Sequence, residues 1–329
     1  MLVLGLQGSP RKKGNTNFLL STFMNETQKL GARTHVIQVC EKKIEPCKEY
    51  IVCEKKGFCP IDDDMKHEIY PLLREADVVV AATPIFFYNT TAQLKALIDR
   101  SQTLWARKYR LNLEDPGRKT RRGFMLAVGA TRGKNLFEGL HLTAKYFFDA
   151  VGAGYDGSLT YRRIEHAGDM EKHPTVLADV ESAVADLLKP FLGRKKILFA
   201  CRENACRSQM AGAFARYLAG DKIDVLTGGS SPAEQVNPDM AKSMHEKGID
   251  MGFRRPRSLE AALSAMQPEI IVTMGCKEEC PYVPGAQRFD WDLPDPAGQS
   301  IDFMRQVRDE IEKRVKELTK NLGASPQLE

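Results

Sequence analysis

Short apolar runs alternate with longer amphipathic stretches along most of the chain. LVLGL (Leu2 to Leu6), THVIQV (Thr34 to Val39), DVVVAA (Asp77 to Ala82) and GFMLAV (Gly123 to Val128) have the length and composition of buried strands. Between and after them the apolar positions recur at helical spacing, over Thr16–Gly31, Met65–Arg74, Ala92–Ser101, Gly139–Val151 and Pro174–Leu192. Continuous apolar strands alternating with helices predict a parallel sheet covered on both faces. At GRKK (Gly193 to Lys196) the pattern restarts. KILFA (Lys196 to Ala200), KIDVLT (Lys222 to Thr227) and EIIVTM (Glu269 to Met274) read as strands. Helices are expected near Gln209–Leu218, Pro238–Lys247 and Ile301–Leu322, and the tail GASPQLE reads as disordered. Two α/β domains are therefore predicted, 1–193 and 194–329. Each opens with a strand that runs into a loop over a helix start, and in such sheets ligands sit outside the carboxyl ends of the strands.

Composition narrows the classes of function. A chain of 329 residues suits two domains better than one. The net charge of +5 is mild, and the basic runs Arg107–Arg110, Arg118–Arg122 and Phe253–Arg257 are short and scattered, so no nucleic-acid partner is expected. The longest apolar run, Asp77–Phe87, is too short for a membrane span and contains Pro84. Met1 leads straight into a strand with no charged leader, so a soluble cytoplasmic protein is expected. The 8 cysteines fall at positions 40, 47, 53, 59, 201, 206, 276 and 280. In that compartment such clusters point to metal or redox work rather than structural disulfides. The 6 histidines lie away from them in sequence, which does not suggest a Cys-His pair.

The first loop, GSPRKKGNT (Gly8 to Thr16), combines small polar side chains with backbone N–H groups at a helix start, a pocket suited to a phosphate. It matches neither the Walker A nor the GxGxxG spacing. The plain alternative is a glycine-rich turn with Thr16 as N-cap. Together with TPIFFYNTTAQLKALIDR (Thr83 to Arg100) and GDMEKHP (Gly168 to Pro174), the loop resembles the NADPH-dependent FMN reductase family, over roughly residues 1–192. The resemblance implies a flavodoxin-like fold, FMN as cofactor and NADPH as electron donor. It implies that Ser9, Arg11, Asn15, Thr16 and Asn17 hold the FMN phosphate. Pro84, Ile85, Phe86, Phe87, Tyr88 and Asn89, with Gly129, would line the flavin ring. Ordinary core or dimer packing is the other reading of that aromatic loop, and a homo-oligomer through this domain is expected.

Cys40, Cys47, Cys53 and Cys59 lie within twenty residues, a set that could hold zinc or an iron–sulfur cluster. The stretch from Pro46 to the acidic IDDD after Cys59 resembles the cluster loop of iron–sulfur flavoproteins. The resemblance makes Cys47, Cys53 and Cys59 candidate ligands. Tyr50 stands where those relatives carry a further cysteine, which counts against a cluster; Cys40 could substitute only if the chain folds back. Reduced thiols or a redox disulfide are the alternatives.

The loop CRENACRSQM (Cys201 to Met210) follows a buried strand and precedes a helix. Its amides and the helix dipole make a positive field, and Arg207 adds a planar fork suited to a tetrahedral oxyanion. That field stabilises a thiolate at Cys201 and also receives the oxyanion, so nucleophile and cradle are one object. A metal pair of Cys201 and Cys206 lacks further local ligands, and a disulfide between them would destroy the anion site. A general acid is needed for the departing oxygen, and Asp295, in an Asp-Pro after the last strand, is the candidate.

C-x5-R followed by Ser208, and the late Asp-Pro, resemble the low-molecular-weight protein tyrosine phosphatases. NACRSQMA and the pair in MGCKEECP bring the match closer to their thioredoxin-coupled arsenate reductase relatives, over roughly residues 195–325. That resemblance implies arsenate or phosphate as the oxyanion. It implies a relay in which Cys201 attacks arsenate and Cys276 and Cys280 carry the oxidising equivalents to thioredoxin. Asn204 would order the loop and Ser208 would bond the Cys201 thiolate. A tyrosine phosphatase with a flavin domain and a non-catalytic flavin–thiol redox sensor are the competing readings.

Overall fold

The computed structural model describes residues 1–275 and 282–322. The chain divides into two compact units, one of Met1–Asn112 with Thr120–Leu192, the other of Leu113–Lys119 with Gly193–Glu329. Each is an α/β layer structure, as the strand–helix alternation predicts.

The first unit holds β1 (Leu2–Gln7), β2 (Arg33–Gln38), β3 (Val78–Pro84), β4 (Arg122–Gly129) and β5 (Gly154–Arg162) in the order β2-β1-β3-β4-β5. All pairings are parallel. This is the flavodoxin-like order, whose strand direction of travel reverses between β1 and β3. β1, β3 and β4 are buried along nearly their whole length, which is why their sequences are continuous apolar runs. One core packs Phe23, Leu19 and Leu20 of the helix Asn15–Lys29 against Val78, Val80 and Leu126 of the sheet. β5 escapes the apolar pattern. It is a half-exposed edge strand whose pairing shifts register at Gly123/Phe124.

The second unit holds β6 (Lys195–Cys201), β7 (Ile223–Gly229), β8 (Ile270–Met274) and β9 (Gln287–Asp290) in the order β7-β6-β8-β9, again all parallel. Its reversal falls between β6 and β8, so the loop after β6 opens at the crevice where ligands bind in such sheets. The helices Arg207–Ala219 and Ile301–Asn321 cover one face, with Met210, Phe214, Val307 and Ile311 in the core between them and Phe199. The stretch Leu113–Lys119 groups with this unit through Glu114, whose N–H donates to Gly248 O at 2.7 Å and whose carbonyl accepts from Asp250 N at 2.8 Å. No helix among the described residues is long and apolar enough to cross a membrane.

Candidate active site

β6 ends at Cys201 and the helix Arg207–Ala219 begins six residues later. The intervening loop is shaped by its carbonyls. Those of Cys201, Arg202, Glu203 and Ala205 accept from the N–H groups of Ser230, Ser231, Ala233 and Asn237, at 3.3, 2.9, 2.9 and 3.1 Å. A trans peptide holds C=O and N–H on opposite sides. The N–H groups of Arg202, Glu203, Asn204 and Cys206 are therefore turned the other way, into the loop. The Asn204 N–H donates to Cys201 Sγ at 3.2 Å, as this demands. No side chain caps the helix, so its first-turn N–H groups add to the same concavity.

Cys201 is almost fully buried and sits within 3.0 Å of Ser208 Oγ. Asn204 is wholly buried in the left-handed region, at φ 51°. Its amide donates to Ser208 Oγ at 2.8 Å, while its Oδ1 accepts from Arg257 N at 2.9 Å and Gln209 Nε2 at 3.1 Å. One side chain thus ties the loop to the helix and to the segment before Ser258. The close approach also requires Gly229, where a Cβ would stand 2.6 Å from Arg202 O and 2.8 Å from Asn204 N.

Arg207 is buried, and its Nη2 donates to Asp295 Oδ2 at 2.8 Å while Nη1 donates to Leu293 O at 3.1 Å. Gly275, at φ +80°, makes room for the guanidinium: a Cβ there would lie 2.8 Å from Nη1. Cys206 is buried beside the loop, and burial, with the Asp295 charge second, pushes its thiol up to about 12. Arg202 is exposed. The structure thus brings Cys201, Asn204, Arg207, Ser208 and Asp295 into one cluster. Sequence reading missed three of its supports, Gln209, Arg257 and Leu293, because two act through backbone groups and carry no signature. Cys276 and Cys280 lie outside the described residues, as does the tail GASPQLE.

In the first unit a cavity of about 180 Å³ opens at the carboxyl ends of β1, β3 and β4. Ser9, Arg11, Asn15 and Thr16 line one side of it, and Pro84, Ile85 and Phe86 the other. The helix Asn15–Lys29 is capped by Gly14 and not by Thr16, and no side chain closes its N-terminus, so the first N–H groups remain for an anion. The residues present fit a flavin phosphate in that respect. Asn15 does structural work as well: its amide donates to His166 O at 2.8 Å and accepts from Met170 N at 3.1 Å. Asn17 is turned to Gln7, at 3.3 Å, and does not line the cavity. Asn89 donates to Thr143 Oγ1 at 3.0 Å. Gly129 stands between the lining residues Val128 and Ala130. Ile164 and Glu165, on the loop after β5, also line the cavity; the half-exposed β5 carries no apolar run that would mark them in the sequence. Phe87 and Tyr88 both have positive φ, 47° and 62°, in a two-residue turn closed by reciprocal Phe86–Asn89 backbone bonds of 3.0 Å. The Phe87 side chain is fully exposed.

A second cavity, of about 500 Å³, is lined by Cys47, Cys53 and Cys59 with Tyr50 and Arg100. Cys40 is elsewhere, its thiol 3.5 Å from Gly8 O. The acidic stretch after Cys59 anchors Arg100 of that lining. Asp63 takes Arg100 Nη1 and Nη2 at 2.6 and 3.1 Å and accepts from Glu45 N at 3.0 Å; Arg100 Nη1 also donates to Glu45 O. Burial, then the charge of Cys59, pushes the Cys53 thiol up. Three cysteines do not make the four-thiolate set that closes an iron–sulfur cluster. Among the described residues no group of three or more His, Cys, Asp or Glu is arranged to hold a metal ion.

Comparison with known proteins agrees with this division. Residues 1–136 match the family model for NADPH-dependent FMN reductase, and residues 196–328 that for low molecular weight phosphotyrosine protein phosphatase. An iron–sulfur flavoprotein of Methanocaldococcus jannaschii is 36% identical over 132 residues, 40% of this chain, and the chain spans only 64% of that relative's length. A putative arsenate reductase of Halobacterium salinarum is 38% identical over 129 residues, 37% of this chain and 89% of the relative. Among solved structures, the thioredoxin-dependent arsenate reductase of Corynebacterium glutamicum is 28% identical, covering 46% of this chain and 76% of that one, with a TM-score of 0.35. Through its second unit the chain belongs to the arsenate reductases of the low-molecular-weight phosphatase type, joined to a domain that matches the NADPH-dependent FMN reductases.

Proposed function

We propose that the second unit reduces arsenate to arsenite, with Cys201 as nucleophile. The supporting observation is the Cys201 sulfur against Ser208 Oγ and the Asn204 N–H, in a loop whose carbonyls are tied outward, with the buried Arg207 opening the next helix. Arsenate enters this loop and its oxygens take the loop amides and the Arg207 fork. The Cys201 thiolate attacks arsenic, an As–S bond forms, and one oxygen leaves as water with a proton delivered by Asp295. Cys276 then attacks the Cys201 sulfur. The As–S electron pair stays on arsenic, which is reduced from the pentavalent to the trivalent state, while two thiols become a Cys201–Cys276 disulfide. Cys280 resolves this to Cys276–Cys280, and an external dithiol protein such as thioredoxin resets the pair.

The first unit, in the same reading, binds FMN and accepts electrons from NADPH. The flavin supplies hydride chemistry when bound. Ser9, Arg11 and the first N–H groups of the helix Asn15–Lys29 hold the phosphate, and Pro84, Ile85 and Phe86 pack beside the ring. A second copy of the chain covering the exposed Phe87 is the oligomer this unit would form.

The same loop would serve a phosphomonoesterase, and the family model for the second unit carries that name. Pro296 is followed by Ala297 and Gly298, with no aromatic to sandwich a phenyl ring, which favours arsenate. Measuring arsenite release and aryl-phosphate hydrolysis in wild type and Cys276→Ser separates the two. The variant should keep any phosphatase activity and lose repeated arsenate turnover; turnover at the wild-type rate would overturn the relay. Failure of the anaerobic protein to take up added FMN would overturn the flavin assignment.

A further inference from the structure

The cavity lined by Cys47, Cys53 and Cys59 has no part in either reaction above. We propose that it is an arsenite site: As(OH)₃ exchanges its three hydroxyls for the sulfurs of these cysteines. Three As–O bonds break and three As–S bonds form. Each thiol gives its proton to a departing hydroxyl, three waters leave, and arsenic stays trivalent, so no reductant is needed.

Donor number and softness together favour the ligand. A structural zinc site takes four protein ligands, and the common iron–sulfur clusters take four thiolates. The cavity offers three sulfurs, with Tyr50 among its lining residues and Cys40 bonded elsewhere. Trivalent arsenic bears a lone pair and makes three pyramidal bonds, so three sulfurs satisfy it. Soft thiolates also suit a soft centre.

A second observation points to a ligand independently. Arg100 is 2% exposed and lines the same cavity, yet its Nε has no hydrogen-bond partner. An orphaned buried donor of that kind is costly unless an acceptor arrives. Cys59 lines the same cavity as this guanidinium. A sulfur carrying negative charge during exchange would supply the acceptor.

The loop is built to close. Its start is anchored through Lys43 N on Asp64 Oδ2 at 2.7 Å and Glu45 on Asp63 and Arg100. Beyond that anchor Cys47 is exposed, and Glu49 and Ile51 stand in the left-handed region at φ 53° and 59°. Such strain in non-glycine residues marks segments that change state at ligand sites. The proposed site forms when Cys47, Cys53 and Cys59 draw together across the cavity they line.

The proposal takes the source of arsenite from the function above, but binding itself does not depend on it. The test uses the full chain with Cys201, Cys276 and Cys280 all changed to Ser, which cannot reduce arsenate. Sodium arsenite is added to the reduced protein without oxygen, and free thiols and bound arsenic are counted. The expected result is one arsenic per chain, three thiols protected, and a near-ultraviolet sulfur–arsenic absorption. In that background Cys47→Ser, Cys53→Ser and Cys59→Ser should each weaken arsenite binding by at least ~10-fold, the low end of what disturbing a coordination site costs. Unchanged far-ultraviolet circular dichroism would show that these variants are folded. Fewer than three thiols protected, or unchanged binding in any single variant, overturns the proposal. So does iron and sulfide assembling a stable cluster that arsenite does not displace. Arsenate reduction by the wild type is assayed separately, so the two ideas fail separately.

Discussion

Asp295 grips Arg207, with Oδ2 2.8 Å from Nη2, and the two differ sharply in exposure: the arginine side chain is 7% accessible, the carboxylate 51%. In the reaction proposed above, the fork for the oxyanion and the acid for the leaving oxygen are therefore partners before substrate arrives. In that proposal an oxyanion drawn to the guanidinium competes with the carboxylate for it.

From this, Asp295→Asn should bind arsenate or phosphate no more weakly than wild type, since a competing negative charge is gone. Its turnover should fall by ~10²–10⁴-fold, the range for losing a general acid. Steady-state kinetics separates the two effects, and an unchanged kcat would remove Asp295 from the proton path. Arg207→Lys keeps the charge but loses the planar fork, and should cost ~10²–10³-fold in kcat, as losing one oxyanion donor does.

Asn204 is the joint of the loop. Asn204→Ala removes the donor to Ser208 and the shared acceptor of Gln209 Nε2 and the Arg257 N–H, leaving Gln209 only its bond to Arg255 O, while placing alanine at φ 51°. A loss of ~2–4 kcal/mol is expected for a broken buried network on a disfavoured backbone. Urea unfolding followed by Trp291 fluorescence, in a Trp105→Phe background, reads it.

Cys206 should be silent as a nucleophile and visible in the pH dependence of stability. Its folded thiol is raised from the ordinary 9.0 to about 12, chiefly by burial. Between those values the unfolded chain loses a proton that the folded one keeps, so stability falls as pH rises through that window. Cys206→Ala should flatten the decline between about pH 9 and 12 in denaturant titrations. Native alkylation at neutral pH should spare Cys206 and modify Cys47.

The Phe87-Tyr88 turn has the backbone of the hairpin turn that Asn-Gly favours, yet carries two aromatics. Left-handed residues with large side chains cost ~1–2 kcal/mol each. Phe87→Asn with Tyr88→Gly should raise the melting temperature of the first unit. The same change should weaken FMN uptake, measured by fluorescence quenching; stabilisation without any loss of FMN would make the aromatics a packing surface only.

The fold was legible where burial is complete. β1, β3, β4 and β6 from Ile197 on are covered on both faces, so their inner positions select for apolar side chains. β5 and β9 are partly exposed, and their mixed sequences, RFD in β9 and GYDGS in β5, do not stand out from loops. The short helix Leu259–Ala265 was unread, although Ser258 caps it through Ala261 N at 3.1 Å. Spacing between Cys201, Arg207 and Ser208 was readable because one loop carries all three. Leu293, Arg257 and Asp63 act across large sequence separations, which a linear pattern does not encode.

The sequence by itself determined the two α/β units, the two strand–loop–helix starts and the residue types at each, because local burial and short spacing are written in neighbouring positions. Tertiary structure alone decided which groups face the ligand. Outward-tied carbonyls turn the Cys201 loop amides inward, Asp295 reaches Arg207 across the sheet end, and Arg100 comes to line one cavity with three cysteines. Each depends on hydrogen bonds between segments far apart in the chain, whose partners are selected only once the cores have packed.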